Sequence, residues 1–304
     1  MKFDELEEIR KNYAKKRRKI SLIIVVAVIV PTVIAMVVTG DFSMGVTVLI
    51  LGTVVGLIAE TFATAKDAKV YQKAYKSYFV ETKMRRYFTE LNYNHEMGLA
   101  RGVLEATDMI NTGDRYYSND YTTGKYHDTA FSQADVKIEE EYTDSDGDTH
   151  TTTLFSGRWM IFEFPKKFSF RIMIKGKRGG NILRKKKRTG KERRKYERIE
   201  VESGEFNKMF KLYAEDGFET FYLLDPAFIH NLTELGEESE GRILLCFVDN
   251  RLHIGVNNYK DSFEPPRKVS RALDEQAEFQ KVEKEVKMIT KFVDQLKLAG
   301  KVWS

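Results

Sequence analysis

The chain has 304 residues, 31% of them charged and 12% aromatic, with 5 prolines and a formal net charge of +5. That composition excludes wholesale disorder, collagen-like and low-complexity classes. A single cysteine, Cys246, excludes an internal disulfide and any multi-cysteine metal centre.

Residues 1–19 form a basic segment holding Arg10, Lys11, Lys15, Lys16, Arg17, Arg18 and Lys19. Ile20 to Thr39 then carries no charge, and at 1.5 Å per residue a helix over 20–39 is about 30 Å long, enough to cross a bilayer core. A short turn is expected at 40–44, followed by a second span over 45–62, with no charge from Phe42 to Ala59. Two consecutive runs of this kind argue against buried soluble helices, and a second span after the first argues against a cleaved signal peptide. Basic residues flank both runs, with Lys66, Lys69, Lys73, Lys76, Lys83, Arg85 and Arg86 after the second. The positive-inside rule then predicts a multi-pass hairpin with both termini cytoplasmic. Gly52 and Gly56 form a GxxxG on the second span. Small residues let helices approach closely, so packing within the hairpin is favoured over homodimerisation.

A juxtamembrane helix is expected over 63–98. Its stripe of Tyr71, Tyr75, Tyr78 and Phe79 suits either the headgroup layer or packing on the following domain. The remainder, 99–304, reads as an α+β domain with a curved antiparallel sheet, packed helices and a long C-terminal helix. Strand-like stretches are Lys125–Tyr142, Thr151–Phe164 and Phe168–Ile174, with a hairpin at Asp249-Asn250 joining Ile243–Phe247 to Leu252–Val256. Ser203 caps a helix ending near Ala214, Asp225-Pro226 opens another that stops before Gly236, and the last runs from Ser270 to Leu298. A barrel closed in the pleckstrin-homology manner is a variant on element order alone. Asp144-Ser-Asp-Gly-Asp148 lacks the sixth-position Gly and twelfth-position Glu of a calcium loop and reads as a hairpin turn.

Between the strands lies a basic insert, 175–198, with 13 Lys and Arg against 2 Glu. Lys185, Lys186, Lys187, Arg188, Arg193, Arg194 and Lys195 are its candidate binders of anionic lipid headgroups. A solvated loop without a partner ranks next, and nucleic acid last, since Tyr196 alone offers base stacking. No catalytic constellation, metal-ligand pattern or cofactor motif stands out: His95, His127, His150, His230 and His253 are scattered, and Cys246 sits in the apolar run ILLCFV.

Tyr117–Tyr126, Leu154–Phe164, Glu205–Asp216, Phe221–Pro226, Cys246–Ile254 and the tail Leu296-Lys-Leu with Val302-Trp303 together resemble the bacterial "domain of unknown function 3137" family. The resemblance implies a bacterial inner-membrane protein with an N-terminal hairpin, a cytoplasmic domain and an envelope protein as partner. It carries over no activity and no site residues. Binding or scaffolding is the leading expectation, with a membrane-tethered enzyme as the alternative.

Overall fold

The computed structural model describes residues 1–177 and 196–298. They divide into two units: Met1–Thr82 with Glu264–Gln280, and Lys83–Phe263 with Lys281–Ser304.

In the first unit, α1 (Phe3–Thr39) is one uninterrupted helix, so the basic N-terminal segment is helical too. Straight-chain Glu, Lys and Arg residues favour this, and Asp4 and Glu5 sit in the first turn, where the helix dipole welcomes negative charge. The helix stops at Gly40, which takes φ +66° and donates its N–H to Met36 O at 3.0 Å. Asp41 immediately caps α2 (Phe42–Tyr75) by accepting from Ser43 N at 2.8 Å. The expected five-residue turn is thus two residues, because a left-handed glycine followed by an N-cap aspartate reverses the chain at once. α1 and α2 pack antiparallel. A Cβ on Gly45, Gly52 or Gly56 would lie 2.2 Å from Met36, 3.2 Å from Val28 and 2.3 Å from Ile24, respectively.

A π-helical segment, Lys76–Glu81, follows α2, then α3 (Thr82–Tyr87). The expected helix to residue 98 ends there. Thr89–Asn94 is strand β1, with side chains alternating along TELNYN and pairing to the next strand.

The second unit is built on an antiparallel sheet of nine described strands, ordered β1-β2-β3-β4-β9-β8-β5-β7-β6. These are β2 (Arg115–Tyr126), β3 (Thr129–Thr143), β4 (Thr149–Glu163), β5 (Ile172–Gly176), β6 (Glu197–Ile199), β7 (Phe210–Ala214), β8 (Arg242–Val248) and β9 (Arg251–Asn257). The sheet is α+β as expected but open, which excludes the closed-barrel variant. The stretch read as one strand from Lys125 is the end of β2 and all of β3. His127 takes φ +51° and turns the chain in two residues, a conformation that leaves no pattern in hydropathy. The Asp144–Asp148 turn is a hairpin: Asp144 Oδ1 accepts from Asp146 N and Asp148 N, both at 3.0 Å. The Asp249-Asn250 hairpin joins β8 to β9 as read.

One sheet face carries Ala134, Trp159, Leu244 and Cys246 and packs under α4 (Arg101–Glu105) with Leu99, Leu104, Met109 and Ile110. The other carries a cross-strand row of Phe131, Phe162, Leu252, Phe247 and Ile172. Phe88 covers Phe131 with ring centroids 4.6 Å apart, and Phe228 of α7 (Pro226–Glu238) covers Phe247. Two shorter helices precede α7. α5 (Gly204–Met209) is capped by Ser203, and α6 spans Gly217–Leu223. The Ser203 helix ends before β7 rather than at Ala214, since Phe210–Ala214 alternates and joins the sheet edge between β5 and β6. Asp225 caps α7 through Phe228 N at 2.7 Å. Gly236 lies inside α7, because a Cβ there would meet Met209 Sδ at 2.2 Å, so it serves close packing rather than termination. The last helix, α8, runs Glu275–Gln295 and buries Val282, Val286, Ile289 and Val293.

Candidate functional site

Two features of the first unit bear on function. The first is its surface. α1 and the continuous helix from Phe42 are each long and apolar enough to cross a membrane, yet their apolar side chains are left outside: Val37, Val38 and Phe62 are exposed to 77%, 78% and 80%. A soluble core helix buries such residues. Charge begins where the apolar stretch ends. Lys16 pairs with Asp67 at 2.6 Å and Arg17 with Glu60 at 2.8 Å, tying the two helices together. The Lys16 hydrogen bond holds the Asp67 carboxyl below its usual range.

The second is an aromatic and ionic cluster beyond that collar. Tyr71, Tyr75 and Phe79 are buried, which overturns the headgroup reading for them. They pack against Tyr13, Phe3 and Phe279, and Tyr75 donates to Glu278 at 2.5 Å. Burial pushes the Tyr75 hydroxyl well above its normal range, and that of Tyr78 up to about 12. Lys76, fully buried, meets Glu264 at 2.6 Å. Arg10 grips Glu7 at 2.7 and 2.9 Å and donates to Val269 O at 2.5 Å, while Glu7 accepts from Leu273 N at 3.1 Å. That arrangement fastens segment 269–273 to α1.

Arg10→Ala leaves Glu7 partnered only by a backbone amide. A loss of roughly 2 kcal/mol is expected in urea unfolding of the detergent-solubilised chain. The hydrogen bond from Arg10 lowers the Glu7 pKa. A depressed carboxylate contributes stability above its unfolded pKa and loses it as pH falls through the folded one. The gap between wild type and variant should therefore narrow on acidification.

In the second unit the conspicuous chemistry is a buried ionic cluster. Arg158 on β4 and Asp135 on β3 are direct cross-strand partners, with Nε to Oδ1 at 3.6 Å. Arg158 Nη1 donates to Glu285 O on α8 at 2.6 Å, and Nη2 lies 3.6 Å from Glu285 Oε2. The guanidinium sits 4.4 Å over the Phe263 ring. Asp135 Oδ2 accepts from Ser262 N at 3.2 Å. Burial raises the Asp135 pKa, with Asp120 and Asp261 adding to the effect and Arg158 opposing it. Asp120 is buried at a strand irregularity with φ +58° and accepts from Tyr93 at 2.5 Å and Asn119 at 2.8 Å. The cluster bolts α8 to the sheet.

The groups with catalytic names are built into packing. Cys246 is buried on the opposite face, and burial pushes its thiol up to about 12. His253 is buried with its pKa lowered to about 3, and its Nδ1 faces Trp159 Nε1 at 3.3 Å. Lys185, Lys186, Lys187, Arg188, Arg193, Arg194 and Lys195 lie outside the described residues. The two ends of the expected insert are strand: Lys175 and Gly176 close β5, and Glu197–Ile199 form β6. Tyr196 is buried and bonded to Arg171 at 2.6 Å, so it is not a base-stacking platform. The Arg158 cluster was missed. Its one signal was a cation directly before the apolar run Trp159–Phe162 of FSGRWMIFEF.

Residues 153–298 match the family described as "Protein of unknown function (DUF3137)". The resemblance read from the sequence holds over that stretch. It takes in most of β4 and every strand on the β9 side of it, so the DUF3137 region is one contiguous block of the sheet, β4-β9-β8-β5-β7-β6, with α5 to α8. Arg158 and Glu285 belong to it and Asp135 does not. No curated protein matches the chain. Among solved structures, the crystal structure of the mycobacterial trehalose monomycolate transport factor A, TtfA, is similar at 9% identity and a TM-score of 0.34, over 74% of this chain and 94% of that one. A likeness at that level carries no functional weight.

Proposed function

We propose that this DUF3137-containing chain is a multi-pass protein of the bacterial inner membrane, anchored by the α1–α2 hairpin. Its second unit stands on the cytoplasmic side as a binding or scaffolding domain for an envelope partner. The observation that carries this reading is the exposed, uncharged surface of α1 from Ile20 and of α2 to Ala59. Bilayer lipid is the environment in which that surface is stable. The basic flanks on both sides support cytoplasmic termini. Gly52 and Gly56 serve packing within the hairpin, against Val28 and Ile24. The cations Lys185–Arg188 and Arg193–Lys195 are suited to anionic lipid on the same side.

Single cysteines at Asp41, Ser43 and Ser145, introduced into a Cys246→Ala background, test the orientation. A membrane-impermeant maleimide applied to intact cells is expected to label positions 41 and 43 and to leave 145 unlabelled. Labelling of 145 from outside would overturn the topology.

A further inference from the structure

We infer that the charged end of the hairpin is a rigid binding surface for anionic phospholipid headgroups, formed by Lys15, Arg18 and Lys19 of α1 and Lys66 and Lys69 of α2. This rests on the reading that the hairpin crosses a bilayer. Three observations carry it. First, α1 is helical without a break through its basic segment, so these cations are held on a regular scaffold. Second, their spacing is directional. Residues 15, 18 and 19 share one face of α1, and 66 and 69 share one face of α2. Third, the acids of this zone are already spent. Glu60 is taken by Arg17 and Asp67 by Lys16, across the helix pair. These five cations are all exposed, and their side chains make no hydrogen bond or ion pair among the described residues.

The height of the set selects the ligand. Lys19 adjoins the first uncharged residue, Ile20, and Lys15 is one helical turn further out. One turn rises about 5.4 Å, close to the depth of one headgroup layer outside a core of roughly 30 Å. Val28 packs on Gly52 and Ile24 on Gly56, so Lys66 stands level with Lys15. A lipid phosphate therefore lies between the level of Arg18 and Lys19 and that of Lys15 and Lys66, and Lys69, about 5 Å beyond Lys66 at 1.5 Å per residue, remains within a Debye length of about 8 Å. The paired Lys16 and Arg17 lock the helices in the register that holds both stripes at that level. A soluble acidic partner would have to enter the headgroup layer to reach the same cations.

The test uses the full chain reconstituted in phosphatidylcholine vesicles. Resistance to alkaline carbonate extraction is measured first, and extraction there would overturn the spanning reading itself. In the retained protein, spin-labelled phosphatidylglycerol is compared with spin-labelled phosphatidylcholine for association with the protein surface. A preference for the anionic lipid of about threefold or more is expected, since each basic residue near a charged headgroup contributes up to about fivefold in affinity. It should fall toward parity in a Lys15→Gln, Arg18→Gln, Lys66→Gln, Lys69→Gln variant, and in wild type at about 1 M salt, where screening shortens to about 3 Å. It should survive a Lys185→Gln, Lys186→Gln, Lys187→Gln, Arg188→Gln variant. No preference in wild type, or a preference abolished by the second variant and unaffected by the first, overturns the proposal while leaving the spanning reading intact.

Discussion

Replacing Arg158 by methionine is expected to destabilise the second unit by roughly 3–5 kcal/mol, the usual cost of removing one partner from a buried ion cluster. Methionine fills most of the volume and keeps the contact with Phe263, so the loss isolates the charge. Two consequences separate this from a simple packing defect. Arg158 donates to Glu285 O, so α8 loses its polar attachment to β4 and its amides from Lys281 onward should exchange faster with solvent. Asp135 is left buried without its counter-charge, so Asp135→Asn in the Arg158→Met background should recover part of the loss.

The pH dependence has a definite sign. Burial already raises the Asp135 pKa in the folded chain. A carboxyl whose folded pKa exceeds its unfolded one favours folding when protonated, so its contribution declines as pH rises from the ordinary carboxylate range through the raised value. Without Arg158 that value climbs further and the decline reaches to higher pH. Urea unfolding at pH 5 and pH 8 should show a larger penalty for Arg158→Met at pH 8, and none of this differential once Asp135 is Asn. Equal penalties at both pH values would show that the cluster does not couple to a proton.

The second large effect is one residue away. Gly157 takes φ +154°, and a Cβ on it would lie 2.1 Å from Val256 O on the paired strand. The obstacle is backbone, which has no rotamer to yield, and the conformation itself disfavours a side chain. Gly157→Ala is therefore expected to cost about 3 kcal/mol or more and to part β4 from β9 locally. Thermal unfolding in detergent should show the lowered midpoint. Loss of protection at the amides from 255 to 257 should locate the damage, and an unchanged midpoint would mean that the strand relaxes freely at that site.

Much of the architecture was legible from residues 20–62, where an absence of charge over two long runs admits few structures, and from Asp225-Pro226 and Asp249-Asn250, where turn chemistry is local. The failures have a common physical cause. β1 and β7 are short strands whose pairing is made by distant partners, Tyr121–Lys125 for one and both β5 and β6 for the other. Nothing nearby in the chain announces that. The tyrosine stripe was visible, but its destination depended on Phe279 and Glu278, some 200 positions later. The Arg158 cluster is the same case, since its charge finds Asp135 and Glu285 through sheet register and helix docking. Sequence could mark Arg158 as out of place in an apolar strand, but not name what compensates it.

The strand order also sets a timetable. β4 ends at Glu163 and its neighbour β9 begins only at Arg251, so about ninety residues must be synthesised before that edge is covered. At about 5–20 residues per second this takes on the order of 5–20 s. Throughout that interval the hairpin is complete and the β1–β4 meander can form, but β4 presents Trp159, Met160, Ile161 and Phe162 along an open edge. Strand β5 emerges in the meantime and cannot fill the gap, because its partners are β7 and β8. Truncated or stalled chains ending before residue 251 should therefore be the aggregating species in the cell, and on the proposed membrane-spanning reading the hairpin would hold each such chain at a separate point on the membrane while its remaining strands are made.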